Sequence, residues 1–249
     1  MPKPGQPFSV RGISLAEGVT VEKVQRRNQL LKDLNTRLRE QDTNSQLLEA
    51  LDSFSQQAYS MITSERTQKA FDVSKEPESI SKLFGKNDLG QSLLLATRLI
   101  ESGVRFVTVT NGGWDTHLDN FDGHKKLIPP FDHGITATIT ALKEKGLLER
   151  TLVIAMGEFG RTPKINQNVG RDHYPRANWC LMAGGGVKPG QLIGGTDAKG
   201  AGPDADTDIH PDDLGASLFY ALGIDHHKEY YTRTNRPVSL VANGRIMHN

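Results

Sequence analysis

The run TLVIAM at Thr151–Met156 decides the fold class that we predict for this chain. Such a short apolar run, followed directly by glycine, is typical of a buried strand. A predicted helix from about Phe131 to Lys145, entered through Pro129-Pro130, precedes it, and the β-branched run Val104–Thr110 precedes that helix. A strand, a helix and a second strand in succession predict a parallel pair, because the crossover returns the chain to the same sheet. We therefore predict an α/β fold.

Further elements extend this pattern on both sides. An apolar helix begins at Gln91 and is stopped by a glycine directly before the first strand. Downstream, the apolar run Trp179–Ala183 predicts a third strand, and Gln191–Gly194 is compatible with a short fourth one. The segment Pro211–Leu222 predicts a final helix, because a proline lies near its start, two aspartates lie in its first turn and Gly223 follows it.

The N-terminal part of the chain is predicted to be a helical appendage. Apolar residues recur at three- and four-residue steps from about Val21 to Met61, which predicts a helical hairpin with the polar turn Glu40–Ser45. Such a pair is more often a packing appendage than a partner-binding arm. Residues 63–90 predict a linking region with short helices. We divide the chain into the appendage and linker (1–90), an α/β core with the candidate metal site (91–225) and a C-terminal tail (226–249).

The composition is that of a soluble globular protein. Apolar residues make up 36% of the chain, charged residues 24%, and the net charge is +1. Charge therefore gives no reason to expect nucleic-acid binding. No run approaches the roughly 20 apolar residues that span a bilayer. The N-terminus carries neither a signal peptide nor a membrane anchor, so the chain as written is expected to stay where it is made. The oligomeric state cannot be read from these features.

Asp115 and His117 form the first candidate metal-ligand pair. They lie two residues apart just past a predicted strand, so in an extended backbone their side chains project to the same side. A carboxylate and an imidazole that converge suit a divalent cation such as zinc or manganese. A turn aspartate beside a surface histidine is the simpler interpretation of an isolated pair. Two further ligand-rich strand ends favour the metal site, because ligands bind where strand carboxyl ends meet.

Glu158 and Arg161 form the second cluster. Glu158 follows the predicted strand at Thr151–Met156 and is expected at the mouth of the sheet. There it can act as a metal ligand or as a general base. An ion pair with Arg161 is the alternative. The planar guanidinium of Arg161 itself suits phosphate, sulfate or carboxylate.

Arg171, Asp172 and His173 form the third cluster. Metal ligation and structural hydrogen bonding explain the Asp172-His173 pair equally well. Arg171 offers a second contact for an anion. Asp119 and Asn120 lie near enough to Asp115 in sequence to supply hydrogen bonds that support the ligands.

Other polar side chains receive a structural interpretation. The single cysteine, Cys180, lies in an apolar run and is expected in the core rather than as a nucleophile. The aspartates at 204, 206 and 208 lack the glycine and glutamate of a calcium loop and predict a solvated loop. His210 precedes the final helix and is given no role. The remaining histidines outside the clusters are expected at the surface: His124, His133, His226, His227 and His248.

Several long motifs together resemble a known family. They are GGWDTHxDNF from Gly112, TLVIAMGEFGRTPKIN from Thr151, GRDHYP from Gly170, AGGGVKPGQLIG from Ala183 and DLGASLFYALGID from Asp213. Over about residues 8–225 the chain is similar to the bacterial DUF1501 family. That family is placed beside the sulfatases in the alkaline phosphatase-like superfamily.

This resemblance implies a mostly parallel sheet flanked by helices, with a metal site at the strand ends that hydrolyses phosphate or sulfate esters. Asp115 and His117 stand where relatives bind one metal, and His173 stands near its third ligand. Glu158 occupies a strand end where relatives carry Asp-His, and Phe159, which follows it, cannot ligate a metal. A second metal site is therefore in doubt.

The resemblance also implies that the chain corresponds to a C-terminal portion. Superfamily enzymes carry a nucleophile and an early aspartate ligand in an N-terminal half that this sequence does not show. The leading expectation is a metal-binding, hydrolase-like domain with zinc, manganese or calcium as cofactor, acting on a small anionic ester. The alternative is a non-catalytic member that binds anionic polysaccharide, such as sulfated glycan, or serves a structural role. Full-length relatives often begin with an export signal, which implies an exported or periplasmic location.

Overall fold

A computed structural model describes residues 18–39, 45–204 and 209–247. The chain divides into two compact units, Met1–Thr110 and Asn111–Asn249. The predicted turn Glu40–Ser45 falls almost wholly outside the described residues, as do Asp206, Asp208 and His248. Across the described part of the chain, no helix combines the length and apolar character needed to cross a membrane.

The described part of the first unit is helical, which confirms the predicted hairpin helices and the short helices of residues 63–90. The helix predicted from Gln91 also lies in this unit. Its helices are α1 (Val21–Arg39), α2 (Ser45–Thr63), α3 (Glu65–Phe71), α4 (Glu78–Phe84) and α5 (Asp88–Glu101). Helix α5 contacts both α3 and α4. The core of this unit includes Phe84, Leu93 and Leu94, which are buried. The half-buried Arg98 of α5 pairs with Glu76 and donates from Nε to the Ala70 carbonyl at 3.0 Å.

The second unit mixes helices with short antiparallel strands. In chain order they are α6 (Asn120–Glu144), β1 (Leu152–Met156), β2 (Gly160–Arg161), β3 (His173–Tyr174), β4 (Cys180–Gly184), α7 (Pro211–Ala221), β5 (Glu229–Tyr231) and β6 (Pro237–Ser239). The pairs are β1 with β4, β2 with β3, and β5 with β6. Strands β1 and β4 confirm the predicted strands at Thr151–Met156 and Trp179–Ala183. The buried apolar residues of α6 are small or aliphatic: Ala137, Ala141 and Leu142.

The predicted parallel pair is wrong. Strand β1 pairs antiparallel with β4, with Leu152 opposite Gly184 and Met156 opposite Cys180. The segment Val104–Thr110 forms no strand. Its β-branched side chains favour an extended backbone, but a strand also requires a neighbour whose amide and carbonyl groups face its own. The segment Gln191–Gly194 forms no strand either.

Helix α6 begins eleven residues earlier than the predicted start at Phe131, so that Pro129 and Pro130 lie inside it. Proline is common in the first helical turn, where its missing N–H costs no hydrogen bond. The prolines therefore predicted a helix start at about Phe131, which is wrong. Tertiary contacts explain the extension. The Asn120 amide donates to the Val169 carbonyl at 3.0 Å, which satisfies one amide at the start of the helix.

Helix α7 follows the prediction from helix-end chemistry. His210 caps it and Asp213 closes the capping box, because the His210 amide donates to Asp213 Oδ2 at 2.9 Å. The buried Asp213 also accepts from the Arg245 amide at 2.7 Å on its other oxygen. One carboxylate therefore caps the helix and anchors the C-terminal segment upon it.

Two side chains differ from their predicted positions. Cys180, expected in the core, is exposed at the start of β4. His226, expected at the surface, is buried and its ring lies 4.0 Å from that of His227. Both sites lie at the margins of short strands, where the pattern of apolar residues does not determine which side faces the core.

Asp213 makes the stability of the protein sensitive to acid. The Arg245 amide is the main cause that lowers its pKa from 3.8 to about 2. Since the folded-state pKa lies below the usual value, this stabilisation is present above about pH 4 and is lost as the pH falls towards 2. The difference corresponds to on the order of 2 kcal/mol. We expect Asp213→Asn to lose about this much unfolding free energy at pH 6, measured by urea denaturation.

The mutant should also show a flatter dependence of stability on pH between 4 and 2 than the parent protein. Asp132→Asn, which changes an exposed carboxylate on α6, is the matched control and should leave both quantities unchanged. Equal pH dependence in the Asp213 variant and the parent protein would contradict the assignment.

Candidate metal centre

A two-residue ladder places Arg161 beside His173. Strands β2 and β3 pair antiparallel with Gly160 opposite Tyr174 and Arg161 opposite His173. Residues that oppose each other in such a ladder share one face of the sheet. Gly160 is required here, because a Cβ at this position would lie 1.7 Å from the Ala177 carbonyl oxygen. The ladder thus brings residues from two predicted clusters to the same point.

The first cluster, Asp115 and His117, is held beside the β2–β3 ladder by backbone contacts between two loops. The Arg171 amide donates to the Thr116 carbonyl at 3.0 Å, and the Asp119 amide donates to the Asn168 carbonyl at 3.1 Å. Thr116 is buried, and its hydroxyl donates to the side chain of Asn120 at 2.6 Å. These bonds hold the segment around residues 115–120 against the segment around residues 166–171.

Asp115, His117 and His173 converge into one group. Asp115 Oδ1 lies 3.0 Å from His173 Nε2 and 3.1 Å from His117 Nε2. Across the described residues this is the group of three ligand side chains whose ligand atoms fall within 4.8 Å of one another. The three residues are partly or largely exposed, so the group is open to solvent. The convergence predicted for these three residues is therefore present.

Arg161 completes the group as a fourth member. Its Nη1 atom donates to Asp115 Oδ1 at 2.7 Å. The hydrogen bonds from His173 and then from Arg161 hold the pKa of Asp115 below its usual value. Asp115 is therefore ionised at neutral pH and available to a cation.

His117 is oriented by Asp172. His117 Nδ1 lies 2.7 Å from Asp172 Oδ1. Since an ionised carboxylate only accepts hydrogen bonds, Nδ1 carries the proton, and in the neutral ring the lone pair is on Nε2. Hydrogen bonds from His117 and from Asn166 lower the pKa of Asp172, which keeps it ionised for this role. The contact has the form in which metal-binding histidines are usually held.

Asn166 belongs to the candidate site, and sequence reasoning missed it. Its Nδ2 atom donates to the His117 carbonyl and to Asp172 Oδ1, both at 3.1 Å. Its Oδ1 atom accepts from the amides of Asn168 and Gly170, both at 2.9 Å. One amide side chain therefore orders its own loop and connects it to the ligand segment. An asparagine in a polar loop follows no sequence pattern that predicts these contacts. The one signal is its place at the end of the motif TLVIAMGEFGRTPKIN.

The same loop requires glycine at position 170. A Cβ there would lie 1.8 Å from the His117 carbonyl oxygen. The preceding Val169 has a φ of 58°, which is unfavourable for a β-branched residue. Its carbonyl accepts from the Asn120 amide. Close approach and local strain together indicate that the loop is held in place by its contacts to residues 117–120.

Phe159 and Arg161 cover one side of the group. The Phe159 ring lies 4.4 Å from the His173 ring, and the Arg161 guanidinium carbon lies 5.7 Å from the centre of the Phe159 ring. A cation over an aromatic face is attracted by the electron density of the ring. Phe159 therefore supports both the imidazole and the guanidinium on this side.

The other predicted site residues lie around the group in different roles. Arg171 Nη1 donates to the carbonyls of Thr162 and Pro163, at 2.5 and 2.9 Å, so its guanidinium is engaged with the backbone. Glu158 is exposed in the turn between β1 and β2 and is not a member of the three-ligand group. Asp119 precedes α6 with a φ of 44°.

The donor set fits a divalent transition metal. One carboxylate and two imidazoles are ligands typical of zinc and are compatible with manganese. Three protein ligands leave a position for water or substrate, as in catalytic zinc sites. Calcium prefers oxygen ligands, so two imidazole nitrogens favour zinc or manganese over calcium.

Removing the support of His117 tests this arrangement. We expect Asp172→Ala to weaken zinc binding about 10- to 100-fold, because His117 loses the partner that fixes its ring. The measurement is a competition titration against a chelator of known affinity. Asp132→Ala, an exposed carboxylate outside the group, should bind zinc as the parent protein does. An unchanged affinity in Asp172→Ala would show that Asp172 does not orient a ligand.

Substitution of Gly170 tests the close approach of the two loops. Gly170→Ala should lower the unfolding free energy by about 1–3 kcal/mol, because its Cβ overlaps the His117 carbonyl. Gly195→Ala is the matched control, since a Cβ there meets no atom within 4 Å and the expected change is within about 0.5 kcal/mol. Denaturant unfolding measures both. Equal stability of the two variants would contradict the described loop packing.

Comparison with known proteins gives one match. Residues 1–249 match the family described as "Protein of unknown function (DUF1501)". No curated protein and no solved structure matches the chain significantly. The family match covers the whole sequence, including the motifs that carry the metal-ligand group. The chain therefore belongs to the DUF1501 family.

Proposed function

We propose that the second unit is a metal-dependent hydrolase domain acting on sulfate or phosphate esters. The observation that carries the proposal is the convergence of Asp115, His117 and His173 beside Arg161. The group unites a divalent-metal donor set with a guanidinium suited to an anionic ester. The motifs that resemble the DUF1501 family support the same reaction class, because that family is placed beside the sulfatases in the alkaline phosphatase-like superfamily.

In this proposal, Asp115, His117 and His173 hold zinc or manganese. Asp172 keeps the His117 Nε2 lone pair directed into the group, and Asn166 keeps Asp172 in place. A metal bound there would act as a Lewis acid, polarising an ester oxygen or lowering the pKa of a bound water.

The surrounding side chains bind the substrate and move the proton. Arg161 binds the charged oxygens of the ester through its planar fork. Glu158, exposed in the turn between β1 and β2, is the residue that we propose as the base accepting a proton from the attacking water. Hydrolysis joins the water oxygen to sulfur or phosphorus, breaks the bond to the ester oxygen and returns a proton to the departing alcohol.

Metal content is the decisive test. We expect about one zinc or manganese ion per chain after dialysis against a weak chelator and back-titration, measured by elemental mass spectrometry. Asp115→Ala and His173→Ala should each lower the affinity strongly, because each removes one of three ligands. His133→Ala, an exposed histidine on α6, is the matched control and should retain the metal.

The loaded protein is then screened against aryl sulfates and aryl phosphates. Metal-dependent release of the aryl alcohol that is lost in Asp115→Ala would support hydrolysis. If Asp115→Ala and His173→Ala bind metal as tightly as the parent protein, the proposed site is wrong.

A non-catalytic role is the second candidate, and Phe159 favours it. The ring packs on His173 at the position where superfamily relatives carry a ligand, and it offers no donor to a second metal. A domain of this kind would bind an anionic polysaccharide without cleaving it. Binding of a sulfated glycan by the metal-loaded protein, with no hydrolysis of any ester, would favour this candidate.

A further inference from the structure

Asp115 Oδ1 is the atom that lies next to all three other members of the group. It accepts from Arg161 Nη1 at 2.7 Å and lies 3.0 and 3.1 Å from the Nε2 atoms of His173 and His117. The two imidazole nitrogens therefore face the same carboxylate oxygen that holds the guanidinium. A cation bound to both nitrogens lies on the Oδ1 side of Asp115, where Arg161 also binds.

Arg161 has few other restraints on its charged end. Its remaining contacts are a long 3.5 Å hydrogen bond from Nη1 to the Arg171 carbonyl and the Phe159 ring, which lies 5.7 Å from the guanidinium carbon. Phe159 supports the side chain without neutralising its charge. Asp115 is thus the carboxylate that balances Arg161, and an oxyanion that binds the guanidinium must compete with it.

The strength of that competition is modest. The Asp115 side chain is 62% exposed and that of Arg161 is 22% exposed. An ion pair with one partner this exposed changes a binding equilibrium by at most about fivefold, because water screens it. The pair is therefore strong enough to lower the affinity of Arg161 for an anion several-fold. It is weak enough for a divalent cation bound to Asp115 to displace the guanidinium.

We propose that Asp115 couples the two ligands of the site, by holding Arg161 until its carboxylate ligates a divalent cation and then releasing the guanidinium for a tetrahedral oxyanion. The inference rests on the proposed metal site and adds an order of binding to it. The oxyanion, sulfate or phosphate, binds well only after the metal. By thermodynamic linkage, the anion in turn strengthens metal binding by the same factor.

The first test needs no metal. Sulfate binding is measured by calorimetry in the presence of a chelator for the parent protein, Asp115→Ala and the double variant Asp115→Ala/Arg161→Met. Asp115→Ala should bind sulfate about two- to fivefold more tightly than the parent, because Arg161 is released. The double variant should lose this gain, which separates the effect of Arg161 from the mere removal of a negative charge. A parallel titration with inorganic phosphate ranks the two anions.

The second test adds zinc. The parent protein should bind sulfate about 5- to 150-fold more tightly with zinc than with chelator. Arg161→Met should retain zinc, but zinc should increase its sulfate affinity less than it does in the parent protein. The contribution of Arg161 to sulfate affinity is then larger with zinc than without it. An equal contribution in both conditions would overturn the coupling. Thermal unfolding of each variant verifies that it is folded.

The two proposals fail in different ways. If the parent protein binds no zinc or manganese, the metal-dependent function is wrong, and the chelator experiment still decides whether Asp115 restrains Arg161. If zinc binds but Asp115→Ala gains no affinity for sulfate, the coupling is wrong and the metal site stands.

Discussion

The hydrogen bond that Asn166 Nδ2 donates to the His117 carbonyl joins residues 49 apart in sequence, and a second bond from the same atom holds Asp172. The candidate centre depends on them, because each of its sides is a short loop with little regular structure of its own. A loop on its own leaves the direction of an imidazole unspecified, whereas a fixed carboxylate specifies it. Gly170 completes the junction by allowing the two backbones to touch. The geometry of the group is therefore set by polar contacts between loops and only indirectly by the hydrophobic core.

Charge balance is the second constraint on this group. Two carboxylates, Asp115 and Asp172, face two imidazoles and the Arg161 guanidinium, so the group carries its own counter-charges. The exposed position keeps the cost of gathering these charges low, because water still solvates them. The same exposure makes each contact weak enough to exchange partners. A solvated group of this kind can accept a divalent cation and a divalent anion together without a large change in net charge.

Sequence patterns predicted local features of the chain well. The hairpin helices, α7, and β1 and β4 follow from periodicity and end chemistry, which are properties of neighbouring residues. The His210 cap of α7 is not among these predictions. The sequence predicts that Asp115, His117 and His173 lie together, as they do, but contacts between loops bring them together and not a shared parallel-sheet edge. Strand pairing involves partners far away in sequence, so the composition of Val104–Thr110 could not specify it. Asn166 escaped notice because its importance lies in two contacts that no local pattern encodes.

The ladder that carries Arg161 and His173 is two residues long on each strand. A ribbon of this length has little cooperative stability of its own, since isolated two-stranded ribbons are marginal even when much longer. Opening it requires the loss of a few hydrogen bonds, far fewer than global unfolding. We therefore expect this ladder to open locally more readily than α6, with its backbone amides exchanging with solvent while α6 remains closed. A ligand that binds residues of both strands would stabilise the ladder against local opening. The ladder would then open only when the rest of the unit unfolds.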